Sequence, residues 1–418
     1  MRILLTEGSG LTSRQVATRL GRSGHHVEIL SSTPLCLSRF TRHVRKVHPV
    51  PPFGRAPLDW LKTAAEIVRR REIDLLFPTQ EQVTVLAARR NALTCATVVP
   101  EFESLLRVQD KISAYKTLAA AGIPQPPTIL VQRPEDLARV DQFPAFIKRP
   151  VGTASSGVRR AKDLSELLTA ASALGMGEQG LIVQQECIGR LAMVQAIADN
   201  GRLIAQHANL RVQEGSGGGA AIKESVTIPR LAEHLQALVA HLSWHGPISL
   251  DVILTDKGPV VIDINPRLVE PMNAYLAGVD LVEAMLSLAR HQSLTPQPSG
   301  RPGVRSHQLL IAVLGAAQFQ ASRYAIVKEL VRALRKMDPY AGSVEELTPT
   351  RGDPVSAIPV LAAVLLTLAW PHVWRLFHSG AVGSYALTPE AWAQIVSFAS
   401  NDTRHPAGDP EIDHRARS

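Results

Sequence analysis

The sequence predicts a mixed α/β and α+β protein. An N-terminal doubly wound parallel β-sheet precedes a strand-rich region and a mostly helical C-terminal part. Three observations support this fold class. Strands and helices alternate over about the first hundred residues, hairpin turns join apolar strands in the middle of the chain, and the proline- and glycine-rich segment SLTPQPSGRPG begins at 293. A chain of 418 residues is also longer than a single core usually grows, so several domains are expected.

The composition is that of an ordinary globular protein, with 45% hydrophobic and 20% charged residues. The net charge of +8 is spread along the chain and no aromatic-rich basic motif accompanies it, which argues against nucleic-acid binding. Cys36, Cys95 and Cys187 are sparse and form no CxxC pair, as is typical of a reducing, cytoplasmic compartment. The apolar stretch at 357–370 is shorter than the roughly 20 residues of a spanning helix, so we expect a buried or interfacial helix there.

The first elements read strand, turn, helix and strand: RILLT, EGSGL, TSRQVATRLGRSG and HHVEIL. A further helix at about 58–71, the strand IDLLFPT and a helix through 80–90 continue this alternation, which predicts a parallel sheet. The turn Gly8-Ser9-Gly10 resembles a dinucleotide-binding loop, but Ser13 stands where the third glycine of that motif belongs. We therefore interpret it as a tight strand-to-helix turn in a supporting domain.

The middle of the chain alternates again, beginning with one amphipathic helix over 107–123 that Gly122 ends. In order, the next predicted elements are the strand PPTILVQ, the helix PEDLARV, the strand FPAFIKRP, the small-residue loop VGTASSGV, the helix DLSELLTAASAL and the strands LIVQQ, LAMVQAIAD and GRLIAQHA. Asp199-Asn200-Gly201 is a hairpin signal between the last two strands. After the glycine-rich segment EGSGGGAA follow the helix LAEHLQALVAHL and the strands ISLDVIL and PVVIDI.

Polar residues interrupt the last two of these strands at regular positions. Thr-Asp-Lys-Gly joins the strands as a hairpin, and residues two apart on a strand share a face. Asp263, Asn265 and Arg267 therefore point the same way, and Asp251 projects beside them from the neighbouring strand. Two acids and an amide oxygen suit Mg²⁺, and the arginine suits a phosphoryl or carboxylate group. A buried salt bridge between Arg267 and one acid is the alternative.

Two lysines precede this hairpin in the chain. Lys148 ends a strand and is followed by a loop of small residues whose backbone N–H groups can approach phosphate oxygens. The loop is not a Walker A motif, because it lacks the G-K-[ST] ending. Lys111 opens the helix after Gln-Asp. Lysines from separate elements, a phosphate loop and a carboxylate hairpin together predict a magnesium–nucleotide site.

In this order, QDKISAYKTLAAAGIPQPPT, FIKRPVGTASSGV, LIVQQECIG and LDVIL…VVIDINPR resemble the ATP-grasp superfamily, in particular its carboxylate–amine ligases and carbamoyl-phosphate-synthetase-like proteins. The resemblance implies three domains: 1–105 as the domain that precedes ATP-grasp, 106–292 as the ATP-grasp domain with subdomains of about 106–185 and 186–292, and 293–418 as a helical extension with a disordered tail. Two subdomains would then hold ATP between them.

The resemblance also implies roles for individual residues. For the nucleotide these are the phosphate lysines Lys111 and Lys148, the phosphate-covering loop Thr153, Ala154, Ser155, Ser156 and Gly157, and the adenine strand with Gln184, Gln185, Glu186, Cys187 and Ile188. Glu186 is preferred for the adenine or ribose contact, with Gln184 and Gln185 as alternatives. For the metal and the chemistry they are Asp251, Asp263 and Asn265 as ligands of Mg²⁺ or Mn²⁺, Arg267 for the acyl phosphate, and Arg211 and Lys223 as further basic contacts, Lys223 among the catalytic residues.

The implied function is an ADP-forming ligase that activates a carboxylate as an acyl phosphate and joins it to an amine. The glycine-rich loop at 215–219 either closes over that intermediate or is a mobile surface segment. Two alternatives stay open: a carboxylase or acyl-phosphate-forming subunit, and an ATP-binding regulatory or membrane-peripheral protein without turnover. Small-molecule substrates are the expected partners, and a homodimer and a peripheral membrane contact through 357–370 stay open.

Overall fold

The computed structural model describes residues 1–153, 157–176 and 180–404, which form three β-sheets with helices packed around them. The first sheet contains β1 (Arg2–Leu5), β2 (His26–Ser31), β3 (Val44–Pro49) and β4 (Leu75–Phe77), in the order β3-β2-β1-β4. Its helices are α1 (Leu11–Arg22), α2 (Pro57–Arg71) and α3 (Val83–Ala88). All the strand pairs are parallel, which confirms the predicted doubly wound N-terminal sheet.

The second sheet is antiparallel and follows a pair of short helices. Its elements are α4 (Phe102–Gln109), α5 (Lys111–Ala120), β5 (Thr128–Val131), β6 (Ala145–Lys148), β7 (Val158–Ala161), α6 (Leu164–Leu174) and β8 (Leu181–Gln185), with strand order β5-β8-β6-β7. The single helix predicted over 107–123 is wrong, because Asp110 is extended and interrupts it. The Asp110 carboxylate accepts hydrogen bonds from the backbone N–H groups of Ile112 and Ser113, at 3.0 and 2.8 Å, and so caps a new helix.

The third sheet is the largest and carries both hairpins predicted from the sequence. Its elements are β9 (Arg190–Asp199), β10 (Arg202–Glu214), β11 (Ala220–Ser225), α7 (Leu231–His241), β12 (Gly246–Thr255), β13 (Gly258–Asn265), α8 (Met272–Ala277), α9 (Leu281–Ala289), β14 (Arg305–His307) and β15 (Val344–Glu345). The strand order is β13-β12-β9-β10-β11-β14-β15. Asn200 and Gly201 both adopt positive φ, 46° and 86°, as the tight turn between β9 and β10 requires.

The C-terminal part is mostly helical, as predicted. Its helices are α10 (Leu309–Gln320), α11 (Arg323–Leu334), α12 (Ala357–Ala369), α13 (Trp374–Tyr385) and α14 (Pro389–Arg404). Short 3-10 turns lie at Leu37–Arg39, Arg90–Ala92, Pro134–Arg139, Ser216–Gly218, Pro354–Ser356 and Pro371–Val373. Among the helices that the model describes, none combines the length and apolar character needed to cross a membrane.

The C-terminal part packs on both earlier regions of the chain. The short strand β14 extends the third sheet by pairing with β11. Trp392 and Ile395 of α14 are buried in the core between the first sheet and α2, and the Trp392 ring lies 6.1 Å from that of Phe102. Part of the predicted disordered tail, 401–404, belongs to α14, and 405–418 lie outside the described residues. The division into three domains stays a prediction.

Candidate active site

The hairpin of β12 and β13 places two carboxylates side by side. Asp251 and Asp263 are direct partners across the strands, and the Thr255–Gly258 pair closes the turn, as the sequence predicts. Asn265 lies two positions beyond Asp263, opposite Ser249, and therefore on the same face. The register shifts just after Asp251, so the residue before Asp263 has no direct partner on β12. Such bulges locally free backbone groups and commonly lie beside active sites.

Both predicted lysines reach this hairpin from other elements. The Lys111 ammonium donates to both carboxylate oxygens of Asp263, at 2.8 and 2.9 Å. Its position at the start of α5 follows from the Asp110 cap. The Lys148 ammonium, at the end of β6, donates to the Gln184 side-chain oxygen at 2.6 Å and to the Ile262 carbonyl at 2.9 Å. The second acceptor is the carbonyl at the bulge. Two lysines and two acids thus form one cluster.

The pKa values of the two carboxylates in this cluster shift in opposite directions. Burial and the neighbouring charge of Asp263 raise the pKa of Asp251 to about 6. Burial also opposes ionisation of Asp263, but Lys111 and Lys148 outweigh it and hold its pKa below the usual value. Burial lowers the pKa of Lys148 to about 8, and Asp263 acts against that shift. The Asp263 side chain is 29% exposed. The cluster therefore lies in a cleft that solvent can reach and not in a sealed core.

Two adjoining cavities meet at this cluster and share Lys111, Asp263 and Ile264. The smaller cavity has a volume of about 20 Å³ and is lined largely by apolar groups; its walls include Leu118, Lys148, Ile182, Gln184 and Ile262. The larger cavity, of about 70 Å³, is mainly polar; its walls include Glu81, Gln109, Arg149, Thr153, Gly157, Asn265 and Arg267. An apolar slot that opens into a polar, cationic space suits a nucleotide, whose base and phosphates differ in the same way.

The strand predicted to hold adenine is only partly directed into the cleft. Gln184 lines the smaller cavity, whereas the Glu186 carboxylate receives two hydrogen bonds from the Arg160 guanidinium, both at 2.7 Å. Gln185 and Cys187 are absent from both cavity walls, and Ile188 is 91% exposed. The geometry therefore favours Gln184 over Glu186 for a side-chain contact to a bound base. The predicted loop residues Ala154, Ser155 and Ser156 lie outside the described residues.

The predicted phosphate-loop residue Thr153 contacts the C-terminal part of the chain. Its hydroxyl accepts a hydrogen bond from the Leu387 backbone N–H at 3.1 Å. Tyr385, two positions before Leu387, is partly buried. It lies close enough to the cleft for the charges of Arg267 and Glu81 to affect the pKa of its hydroxyl. Burial and nearby acids raise the pKa of Tyr385, while Arg267 acts in the opposite direction. No motif in the sequence pointed to Tyr385, because its proximity to the cleft depends on the path of α13.

Arg267 connects the hairpin to the N-terminal sheet. Its guanidinium donates to the Glu81 carboxylate at 3.1 Å, across 186 positions of sequence. Glu81 lies in the loop after β4, at the carboxyl edge of the parallel sheet, where α/β folds usually bind ligands. The neighbouring Gln82 is 1% exposed, and neither of its side-chain polar atoms has a hydrogen-bond partner. The alternative for Arg267 was a buried salt bridge with one of the acids of the hairpin. Arg267 does form a salt bridge, but its partner is Glu81.

The side chain of Glu7 folds back onto the Gly8–Gly10 turn. The buried Glu7 carboxylate accepts hydrogen bonds from the Ser9 and Gly10 backbone N–H groups, the latter at 2.6 Å. A Cβ atom on Gly10 would collide with the Gln80 side chain, which explains the glycine. These N–H groups therefore do not face a dinucleotide phosphate.

Lys223 and Arg211 lie outside both cavity walls. Lys223 is 1% exposed and forms salt bridges with Glu270 and Glu346, the latter at 2.5 Å. Burial acts against its charge, but these two acids raise its pKa, so it stays a cation. Arg211 donates to the Gly218 carbonyl at 2.8 Å. Neither Lys223 nor Arg211 lines the two cavities that Lys111, Lys148, Asp263, Asn265 and Arg267 line.

The glycine-rich loop at 215–219 is tied to the C-terminal part of the chain. The Gly217 backbone N–H donates to the Gln318 side-chain oxygen of α10 at 2.9 Å. Gly215 and Gly315 approach so closely that a Cβ on Gly315 would meet the Gly215 backbone at 2.9 Å. The loop at 215–219 packs against α10. The structure therefore favours neither of the two interpretations of this loop, a lid or a mobile segment.

The two carboxylates and the amide suit a hard cation by their chemistry. Within 1–153, 157–176 and 180–404 no cluster of three or more His, Cys, Asp or Glu residues is arranged as a metal site. The predicted set has two acids and one amide, so water or phosphate oxygens would complete it, as is usual for Mg²⁺. The raised pKa of Asp251 and the Lys111 ammonium on Asp263 both indicate a demand for positive charge here. By their chemistry, Asp251, Asp263 and Asn265 fit Mg²⁺.

Part of the chain is similar to known proteins. Residues 108–271 match the model of the ATP-grasp domain. The chain is 27% identical over 214 residues to the protein y4rH of Sinorhizobium fredii, covering 46% of this chain and 43% of that one. It is 26% identical over 175 residues to a probable alpha-L-glutamate ligase of Xanthomonas oryzae pv. oryzae, covering 39% and 58%. The chain thus spans less than two thirds of the length of these curated relatives.

Solved structures share the fold at low sequence identity. Biotin carboxylase from Campylobacter jejuni aligns with a TM-score of 0.60 and 16% identity, covering 73% of this chain and 74% of that one. N5-carboxyaminoimidazole ribonucleotide synthetase from Thermus thermophilus aligns with a TM-score of 0.57 and 19% identity, covering 81% and 99%. The second alignment includes nearly the whole of that structure, so the likeness in fold extends beyond residues 108–271.

Proposed function

Because residues 108–271 match the model of the ATP-grasp domain, we propose that this chain is an ADP-forming ligase that activates a carboxylate with ATP and joins it to an amine. One observation supports this function above the others. Lys111 and Lys148, from two other elements, line two adjoining cavities together with Asp263 and Arg267, and Asp251 is the direct cross-strand partner of Asp263. Relatives that include probable alpha-L-glutamate ligases support a carbon–nitrogen ligase in particular.

In this proposal the base of ATP lies toward the smaller cavity and the phosphates toward the larger one. Cavities of about 20 and 70 Å³ hold only a few waters, so both have to widen when ATP binds. Ile182 and Leu118 provide apolar walls for the base, and Gln184 provides a polar edge. Lys148 then exchanges its bonds to Gln184 and Ile262 for a phosphate oxygen, which restores the full charge that burial weakens. Thr153 and Gly157 border the phosphate space from the loop side.

Asp251, Asp263 and Asn265 would hold Mg²⁺, with Lys111 released from Asp263 to a phosphate. When bound, Mg²⁺ supplies positive charge that offsets the charge on the phosphate oxygens during transfer. The chain's own contribution is to fix these oxygen ligands on two paired strands, so that little rearrangement is needed when substrate arrives.

The reaction consists of two transfers. A substrate carboxylate oxygen attacks the γ-phosphorus of ATP, the bond to the bridging oxygen breaks, and ADP leaves. An amine nitrogen then attacks the acyl carbon, phosphate leaves, and the nitrogen loses a proton. Arg267 is positioned to stabilise the transferred group when it exchanges Glu81 for the acyl phosphate. Glu81 then becomes available to accept a hydrogen bond from the incoming amine.

The test is ADP release from the purified chain with ATP, Mg²⁺ and a panel of amino acids and small carboxylates, singly and in pairs, with bicarbonate as a separate arm. The ligase predicts release that requires an acid together with an amine. Release with bicarbonate would select a carboxylase instead. Absence of both release and ATP binding would contradict the proposal.

Two variants and two matched controls connect the activity to the site. Lys148→Gln and Asp263→Asn are expected to lower kcat/KM by on the order of 100-fold or more, because each removes a charge acting on the transferred phosphate. Asp256→Asn and Lys257→Gln make the same changes in the exposed turn of the same hairpin and are expected to leave turnover unchanged. Full activity in Lys148→Gln would refute the assignment of this cleft.

A further inference from the structure

Two helices of the C-terminal part expose apolar side chains that nothing in the described chain covers. On α11, Tyr324, Val327, Val331 and Leu334 are 75%, 46%, 37% and 77% exposed. Their spacing of three and four residues places them on one face of the helix. The opposite face, with Ala325 and Ile326, is buried against the rest of the molecule. The exposed residues are therefore a continuous apolar stripe rather than scattered exceptions.

The helix α12 carries a matching stripe. Ile358, Leu361 and Leu365 are 48%, 58% and 66% exposed at the same spacing, and Trp370 directly after the helix is 55% exposed. This is the apolar stretch at 357–370 that the sequence singled out. A 13-residue helix is about 20 Å long, which is too short to span a membrane and long enough to lie along its surface.

The two stripes belong to one surface. Both helices pack on α10 and also contact each other. The Arg323 guanidinium, at the start of α11, donates to the Leu368 and Ala369 carbonyls at the end of α12, at 2.6 and 3.2 Å. These bonds join the start of α11, next to Tyr324 in sequence, to the end of α12, next to Trp370. We call the combined face of α11 and α12 the apolar patch.

The charges around the apolar patch are basic. Lys328 is exposed on α11 and Arg335 is exposed directly after it, each four positions after a stripe residue, while α12 contains no charged residue. The one acid on α11, Glu329, is buried and accepts a hydrogen bond from the Tyr340 hydroxyl. The nearest exposed acid in sequence, Asp338, follows α11 and lies 3.8 Å from Arg305.

We propose that the apolar patch is a docking surface for an anionic phospholipid membrane. Apolar side chains flanked by basic ones match a bilayer surface, where acyl chains accept the former and anionic headgroups attract the latter. A two-fold contact with a second copy would bring the same patch face to face and set Lys328 and Arg335 near like charges. The charge pattern therefore favours lipid over self-association. The patch brings the cleft of the same chain to a membrane surface without a spanning helix.

Co-sedimentation of the full chain with lipid vesicles tests the proposal. Vesicles of phosphatidylcholine with about 30 mol % phosphatidylglycerol are expected to bind the protein about tenfold more tightly than pure phosphatidylcholine, and added salt is expected to reduce this binding. The double variant Leu361→Ser/Leu365→Ser is expected to lose about tenfold in binding, because it removes apolar surface that would enter the bilayer. Its matched control is Leu164→Ser/Leu168→Ser, at positions 43% and 49% exposed and four residues apart on α6.

The basic residues have their own pair of variants. Lys328→Gln/Arg335→Gln is expected to abolish the preference for anionic vesicles, whereas Lys62→Gln/Arg70→Gln, on exposed positions of α2, is expected to keep it. Equal binding to both vesicle types, no binding to either, or binding that ignores the Leu361/Leu365 change would each overturn the proposal. Self-association that the same change reverses, without vesicle binding, would overturn it in favour of a second copy. Light scattering measures that outcome.

Discussion

Lys223 is predicted to stabilise the fold rather than to contact substrate, and Lys223→Met tests this directly. The side chains of Lys223, Glu270 and Glu346 are 1%, 10% and 0% exposed, so solvent does little to screen the charges that the variant would leave behind. Removing one partner of a buried ion pair typically costs about 3–5 kcal/mol, because the remaining charge is uncompensated. We expect a loss of that size in the free energy of unfolding.

The pH dependence of this loss follows from the acids that remain. Burial raises the pKa of Glu346, and Lys223 acts against that shift. Without the lysine, the folded-state pKa rises further above the unfolded value, so Glu346 takes up a proton more readily in the folded protein. The difference in stability between variant and wild type should therefore narrow as the pH falls. Adding Glu346→Gln to Lys223→Met should restore part of the lost stability at neutral pH, because it removes one of the two uncompensated charges.

Urea unfolding followed by tryptophan fluorescence measures the stability, and ADP release per folded molecule measures the activity. A structural lysine predicts a lower urea midpoint and near-normal turnover of the folded fraction. A Lys223→Met protein within about 1 kcal/mol of wild type that had lost turnover would refute this reasoning. It would return Lys223 to the catalytic role that the sequence resemblance implies.

Two further predictions concern stability alone. Burial lowers the pKa of His207 in the folded protein to about 4, whereas a histidine in the unfolded chain has a pKa near 6.5. The stabilisation is therefore retained above pH 6.5 and lost as the pH falls toward 4, by about 3 kcal/mol from this group. His207→Gln should flatten that part of a pH series of urea midpoints, and an unchanged slope would contradict the prediction. Trp392→Ala should lower the free energy of unfolding by about 3–5 kcal/mol, because Trp392 is 6% exposed and lies in the N-terminal core. A change below about 1 kcal/mol in the same assay would mean that α14 is not part of that core.

The parts of the site that the sequence predicts are those that local rules determine. A two-residue turn fixes the register of β12 and β13, and the period of two then sets Asp251, Asp263 and Asn265 on one face. Helix 107–123 fails for an equally local reason, because the Asp110 side chain competes for backbone N–H groups that a continuous helix would use internally. The apolar pattern on either side of Asp110 gives no sign of this competition.

The rest of the site depends on contacts between residues far apart in the chain, which no periodicity encodes. Glu81 meets Arg267 across 186 positions, and Glu346 meets Lys223 across 123. In each pair a basic residue that resembles a substrate contact has an acid as its partner in the fold. The two cases differ in access: Arg267 lines a cavity and can exchange its acid for substrate, whereas Lys223 is sealed between two acids. Residue type and order in the sequence indicated that Arg267 and Lys223 are both important. Only their burial shows that Arg267 can meet a ligand, whereas Lys223 holds three parts of the chain together.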